Sequence, residues 1–236
     1  MRVALVSDIH GNLPALDAVL DELERERVDE LVCLGDVAVG PQGAACVERL
    51  AAISCPVVRG NWDDWFLNGI PALGGEVGAK LAETGTWWAA QLSDEHRDRL
   101  RSYVSPRRVG PLLCFHGSPR SNEDVILAET PDAELELMLG GAEDPVLAGG
   151  HTHLPLVRRH RDSLLVNPGS VGLPFRQGPG PVRIARWAEY AIVDADGDRV
   201  AAELRRTGYD VDAYLELART SGMPQADWWV GCWLRP

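Results

Sequence analysis

Five short apolar runs in this chain stop at residues whose side chains bind metal ions, and no other feature of the sequence limits the fold as much. Val3 to Val6 stops before Ser7-Asp8-Ile9-His10, and Leu31 to Leu34 stops at Gly35-Asp36. Pro56 to Arg59 leads into Gly60-Asn61, Leu112 to Phe115 into His116-Gly117, and Val146 to Ala148 into Gly149-Gly150-His151-Thr152-His153. Apolar runs of this length read as buried strands. In open α/β sheets, loops beyond the carboxyl ends of the strands bring distant residues together. Asp8 and His10 are two residues apart, so an extended backbone turns both to one side. Gly35, Gly60 and Gly150 suit tight turns where backbone must come close to a site. Four of the six histidines fall at these positions, leaving His96 and His160 elsewhere. One histidine after a strand is ordinary loop chemistry, but a convergent set predicts a metal centre.

Helices are expected between the runs. Asn12 to Arg27 carries Leu13, Leu16, Leu20 and Leu23 at helical spacing, with Asn12 as N-cap and Pro14 in the first turn. Ala44 to Ala52, Glu76 to Leu92, Asp94 to Tyr103 and Pro131 to Leu139 are further helices by the same reading. The last third is mostly strands: Leu156 to Arg159, Leu164 to Val166, Tyr190 to Val193 and Arg199 to Arg205. Asp210 to Ser221 closes the chain as a helix. The strand–helix–strand rhythm predicts a parallel sheet covered by helices. Trp87 and Trp88 are expected to pack inside, and Trp228, Trp229 and Trp233 to dock on the body or on a partner. The chain has no internal repeat, and the Gly/Pro-rich Pro174 to Pro181 reads as a loop within one unit. A single domain over residues 1–236 follows, its closing helix and Trp-rich tail at about 210–236.

Composition narrows the partners. Apolar residues make up 45% and charged residues 25%, as in globular proteins. A formal net charge of -12 argues against a broad grip on nucleic acid or an anionic membrane. An anionic substrate stays open, because bound cations reverse the local field. The five cysteines are scattered through apolar runs and read as core residues in a reducing compartment. Met1-Arg2 leads straight into a strand, with no signal-peptide pattern and no apolar stretch near transmembrane length, so a cytoplasmic location is expected.

In order and spacing, Asp8-Ile9-His10, Gly35-Asp36, Gly60-Asn61, His116-Gly117 and Gly150-His151-Thr152-His153 resemble the calcineurin-like metallophosphoesterase superfamily. Ser7 to Leu13 and Asn167-Pro168-Gly169-Ser170-Val171-Gly172 are similar to its small bacterial phosphodiesterase branch. The resemblance implies a four-layer α/β/β/α sandwich of two mixed sheets, with the metal site at the strand carboxyl ends. It assigns Asp8, His10 and His153 to one divalent ion and Asn61, His116 and His151 to another, with Asp36 as the bridge. Asp36, Asn61 and His116 would form the catalytic core. Two cations about 3.5–4 Å apart need a shared anion, and a water between them becomes a hydroxide nucleophile near neutral pH. Two ions contribute about +4, Asp8 and Asp36 about -2 and the hydroxide about -1, so the centre stays roughly one unit positive and attracts phosphate. Imidazole, amide and carboxylate donors without thiolate suit manganese foremost, then iron, nickel or zinc. The implied activity is phosphodiester hydrolysis of a small phosphorylated molecule or nucleotide. Phosphomonoester hydrolysis of nucleotides and a non-catalytic protein-binding scaffold are the competing readings, and the complete ligand set favours an enzyme. Neither stable nucleic-acid binding nor membrane binding is expected, and the sequence does not specify an oligomeric state.

The chain departs from the family pattern at Trp62, where many members carry a histidine proposed to stabilise the transition state or protonate the leaving group. Indole has no titrating proton to give. Asp63, Asp64 and His96 are the candidates for that role, with helix N-terminal charge placement as the plainer reading of the two aspartates. Val37-Ala38-Val39-Gly40 follows Asp36 where the protein phosphatase branch has an Arg-containing motif, which argues against phosphoprotein substrates. Asn12 and Ser170 are candidate phosphate contacts, or a helix cap and a turn residue. Arg176 and Arg183 flank the Gly/Pro loop, within reach of a substrate or facing solvent. The regions expected to set specificity, Leu67 to Glu76, Arg120 to Pro131 and Pro174 to Pro181, carry no readable code.

Overall fold

The computed structural model describes residues 1–176, 181–197 and 199–234. Strand β1 (Arg2–Val6) opens the chain and runs into α1 (Leu13–Leu23), which is capped by the Asn12 side chain on the Ala15 N–H and begins with Pro14 in its first turn. Strand β2 (Glu30–Cys33) pairs in parallel with β1, and α2 (Gly43–Ala52) follows. Helices α3 (Asn61–Asn68), α4 (Gly75–Ala90) and α5 (Asp94–Ser102) fill the middle of the chain. Strands β3 (Arg107–Val109) and β4 (Leu112–Cys114), helix α6 (Asp132–Leu139) and strand β5 (Val146–Ala148) come next. After β6 (Leu156–His160) and β7 (Ser163–Asn167), short β8 (Phe175–Arg176) and β9 (Arg183–Ile184) pair with each other. Strands β10 (Ala188–Asp196) and β11 (Arg199–Thr207) and helices α7 (Val211–Thr220) and α8 (Ala226–Val230) complete the order.

Two mixed sheets result, one ordered β11-β10-β1-β2 and the other β3-β4-β5-β7-β6. The alternation of side chains explains their stacking. Val3, Leu5, Val32 and Leu34 point from the first sheet into a shared core with Leu112, Cys114, Val146 and Val166 of the second. Ala4, Val6 and Cys33 point the other way, onto Leu16, Val19 and Leu20 of α1 and Val47 and Leu50 of α2. Leu113, Phe115, Leu147 and Leu165 meet Leu135, Met138 and Leu139 of α6 on the far face. Three apolar cores between four layers give the α/β/β/α sandwich. Each fully buried Leu or Val contributes about 1.5–3 kcal/mol, so these interfaces fix the register of both sheets.

The structure differs from the expected elements in places. Pro56 to Arg59 is not a strand: only Val57 bridges Cys33, and the chain then leaves the sheet edge for α3. Gly60 follows, at a position where no side chain fits, since a Cβ would lie 2.1 Å from Asp36 Oδ1. β3, α3 and α8 had no clear sequence signal. The Trp-rich tail docks on the body, where the Trp229 ring centroid lies 5.1 Å from Trp88 and Trp233 is buried beside Tyr214. Trp88 is itself fully buried, as expected, and all five cysteines are free. Residues 177–180, the middle of the expected Gly/Pro loop, lie outside the described residues. No helix among the described residues is long and apolar enough to cross a membrane.

Candidate metal centre

The carboxyl ends of β1, β2, β4 and β5, with the first turn of α3, converge on one cavity at the edge where the sheets meet. Asp8 and His10 follow β1, Asp36 follows β2, Asn61 opens α3, His116 follows β4, and His151 and His153 follow β5. Main-chain bonds align the loops of the first sheet: Asp8 N–H donates to the Gly35 carbonyl at 3.0 Å and His10 N–H to that of Asp36 at 3.0 Å. Two further bonds lace the sheets together. His151 N–H donates to Asp8 Oδ2 at 3.0 Å, and His116 Nδ1 faces the Leu34 carbonyl at 2.7 Å.

Asp8 shows most plainly what the site requires. Its Oδ2 accepts from Ser7 Oγ and from His151 N–H, while its Oδ1 is fully buried and has no hydrogen-bond partner. Around that oxygen lie His153 Nε2 at 3.2 Å, His10 Nε2 at 3.6 Å and His116 Nε2 at 3.9 Å. Asp36 Oδ1 accepts the Trp62 N–H at 3.0 Å, and its Oδ2 reaches towards His116 Nε2 at 3.5 Å and His10 Nε2 at 3.8 Å. His10 Nε2 and His153 Nε2 stand 3.1 Å apart, and His116 Nε2 stands 3.1 Å from Asn61 Oδ1. His116 and His153 each hold a backbone carbonyl at Nδ1, those of Leu34 and Leu173, which puts the proton there and turns the Nε2 lone pair inward. Inward lone pairs beside an orphaned carboxylate oxygen repel one another unless a cation lies among them. The donors fit divalent metal.

Two sets of donors have their atoms within 4.8 Å of one another, Asp8 with His10 and His153, and Asp8 with Asp36 and His116. Asp8 thus faces both sets. His151 stands outside them, its ring edge-on to His116 with centroids 5.1 Å apart, and it lines the same cavity. Electrostatics agree with the geometry. Burial opposes ionisation of Asp8, yet His153, His10 and His116 hold its carboxyl well below the usual range. Burial likewise opposes charge on His116, but Asp36, Asp8 and the Leu34 carbonyl push it up to about 9. That affinity for a proton is the affinity a metal would use instead.

Backbone strain concentrates at the same place. Asp8, His10, Asp36, His151 and His153 all adopt φ between 48° and 68°, the left-handed region that L-residues avoid. Each costs on the order of 1–3 kcal/mol, a cost tolerated where the surroundings overdetermine the turn. Asp63 is one such surrounding group. Its carboxylate accepts the Gly60 and Asp36 N–H groups at 2.9 and 3.1 Å and that of Val37 at 3.4 Å, joining the loop after β2 to the start of α3. Burial and the Asp36 charge push its carboxyl up to about 7 despite those donors. Asn167 does similar work for the His151–His153 turn, donating to the Gly150 carbonyl at 2.7 Å.

Several candidates from the sequence lie elsewhere. Asn12, considered as a phosphate contact, is fully buried, capping α1 and donating to Tyr209 Oη at 2.8 Å and to the Gly172 carbonyl. Ser170, considered alongside it, is equally buried between the Asp8 carbonyl and the Leu173 N–H. Both shape the turns beneath the site and do not line the cavity. Asp63 is held by backbone, Asp64 pairs with Arg59 and Asn122, and His96 sits in the capping box of α5 against Glu48. None of the three lines the cavity. Arg176 lies over the Trp187 ring and Arg183 donates to the Gly231 carbonyl. Sequence reasoning missed the far wall of the cavity, built by Trp62, Trp65, Phe175 and Trp229 with leucines from two segments. Leu73 and Phe175 fall in two of the regions expected to set specificity and Trp229 in the expected docking tail, but their convergence with Trp62 and Trp65 on one wall depends on tertiary packing.

Comparison with known proteins agrees with this geometry. Residues 1–197 match the profile described as the calcineurin-like phosphoesterase superfamily domain. A probable metallophosphoesterase from Methanothermobacter thermautotrophicus is 35% identical over 224 residues, 93% of this chain and 100% of that one. Phosphodiesterase YfcE from Escherichia coli K12 is 29% identical over 210 residues, 83% of this chain and 89% of that one. The crystal structure of a metallophosphoesterase from Sphaerobacter thermophilus, 28% identical, superposes with a TM-score of 0.76 over 98% of both chains.

Proposed function

The chain belongs to the calcineurin-like phosphoesterase superfamily, and on that premise we propose that its centre holds two divalent transition-metal ions and hydrolyses a phosphodiester of a small molecule. The observation that carries the reading is Asp8 Oδ1, buried, unpartnered and ringed by three imidazole nitrogens within 3.9 Å. Asp8, His10 and His153 would hold one ion, Asn61, His116 and His151 the other, and Asp36 would serve both. Asp36 is suited to the shared position because its Oδ2 faces His10 and His116 at once. Bound divalent ions supply Lewis acidity, lowering the pKa of a water towards about 7 and neutralising phosphate oxygens. The Leu34 and Leu173 carbonyls keep His116 and His153 in the metal-binding tautomer. The indole of Trp62 and the ring of Phe175 exclude bulk water from one side of the centre. Donor chemistry without thiolate favours manganese, with iron, nickel and zinc as alternatives.

The test is metal content by mass spectrometry beside hydrolysis of bis(4-nitrophenyl) phosphate. The expected outcome is about two ions per chain, with activity lost on chelation and restored by manganese. Asp36→Asn should lose more activity at saturating metal than Asn61→Ala or His153→Ala, and by more than the roughly 10–100-fold typical of outer-shell changes. Metal-free protein that retained the original rate would remove the proposal. A preference for 4-nitrophenyl phosphate over the diester would favour the monoesterase reading instead.

A further inference from the structure

The cavity beside the metal-ligand cluster has two unlike halves. One is the cluster itself. The other is walled by Trp62, Trp65, Leu73, Leu81, Phe175 and Trp229. This wall touches the ligand residues directly: Phe175 stacks on His153 with ring centroids 4.2 Å apart, and the main-chain N–H of Trp62 donates to Asp36 Oδ1. The whole cavity measures about 280 Å³. An apolar cavity of about 150 Å³ already accepts a benzene ring, so there is room for a phosphate and a ring or short alkyl chain together.

Polar partners for the rest of a substrate are nearly absent from the wall. Among the described residues lining the cavity, side-chain polar atoms outside the ligand cluster are the indole N–H groups. That of Trp65 is engaged by Glu123 Oε1 at 3.0 Å. A sugar or a nucleobase placed here would exchange water for hydrocarbon and leave its hydroxyls or ring edges unpaired. A hydrocarbon group would lose nothing and bury its surface.

We infer that this cavity selects phosphate esters carrying an apolar aryl or alkyl group, and that Leu73, Leu81 and the aromatic wall determine this specificity against sugar phosphates and nucleotides. The inference rests on the phosphoester reading above for the orientation of the phosphate towards the cluster. The wall itself comes from four separate segments: Leu73 before α4, Leu81 within it, Trp62 and Trp65 on α3, Phe175 on β8 and Trp229 on α8.

Non-hydrolysable phosphonates test it without turnover, because each carries one organic group. Binding of methyl-, butyl- and phenylphosphonate and of ribose 5-phosphate to manganese-loaded protein is measured by calorimetry and by quenching of indole fluorescence. Each buried methylene is worth roughly a factor of four. Butyl- and phenylphosphonate are therefore expected to bind at least about tenfold more tightly than methylphosphonate, with ribose 5-phosphate no tighter than methyl. Leu81→Asn and, separately, Leu73→Asn should bring the butyl-to-methyl ratio towards one, a comparison from which any general loss of affinity divides out. Equal affinity across the series, absence of binding, or tightest binding of ribose 5-phosphate would overturn the inference. Protein that hydrolyses the nitrophenyl diester yet shows no contrast loses this inference alone. Protein that shows the contrast but never hydrolyses loses the catalytic reading.

Discussion

At the residue scale, Trp62 stands where the family pattern expected from the sequence has a histidine, and its surroundings sharpen the consequence. The indole packs edge-on against Trp65, Phe66 and Trp88 with ring centroids 4.8, 5.7 and 6.2 Å away. Asp63, Asp64 and His96 are each occupied away from the cavity, so among the described residues lining it no side chain beyond the ligand cluster stands ready to protonate a departing alkoxide. General-acid help is typically worth about 10²–10⁴ in rate and matters most for poor leaving groups. Rates across a series of phosphodiesters should therefore fall steeply as leaving-group pKa rises. Trp62→His should flatten that slope. A shallow slope in the unmodified protein would show that a proton donor already reaches the leaving oxygen.

At the scale of elements, α8 does more than end the chain. Its Trp229 fills the space between Trp88 of α4 and Trp233, with ring centroids 5.1 and 5.6 Å away, and also forms part of the cavity wall. Trp233 in turn bridges Ile184 of β9, so the tail is tied to the strand pair that carries Phe175. Removing a buried Trp leaves both lost burial and an empty volume. Trp229→Ala is expected to destabilise the fold by about 3–5 kcal/mol, read as a lower urea midpoint with an unchanged slope. A loss under about 0.5 kcal/mol, the range of ordinary surface substitutions, would mean that the tail does not pack in solution as it does in this structure.

At the scale of the whole molecule, the metal centre joins the two sheets. Asp8 and Asp36 come from one sheet, His116, His151 and His153 from the other, and few direct bonds link their loops. Without cations, the two buried carboxylates of one sheet lie side by side and face the imidazoles of the other across the seam. Ions that bind only the folded state stabilise it by mass action, by about 2.7 kcal/mol at a free concentration one hundred times Kd. For a chain of this length that corresponds to a rise of roughly 5–10 °C in Tm. Chelation should remove that increment, and manganese should restore it in proportion to the logarithm of its concentration. An unchanged Tm after complete removal of metal would show that the ions do not hold the seam.

What the sequence by itself determined was most of the strand ends and the candidate ligands that follow them, because both depend on local chemistry. Four of the five short apolar runs become buried strands, and Asp8, His10, Asp36, His116, His151 and His153 follow them as candidate ligands, with Asn61 after the fifth run. It also marked the family through those motifs and flagged the indole at Trp62. The tertiary structure decided the rest. Five candidate ligands adopt the left-handed region where loops of the two sheets meet, a conformation Asp and His enter more readily than most residues but whose position the sequence pattern did not mark. Pro56 to Arg59 has the composition of a strand, yet its pairing is limited to Val57 because its neighbour β2 ends at Cys33 and the chain turns into α3. Asn12 and Ser170 sit in motifs near the site, but burial commits both to the backbone beneath it. The apolar wall is assembled from residues between 62 and 229 in the chain, so its composition as a pocket exists only once α3, α4, β8 and α8 have packed together.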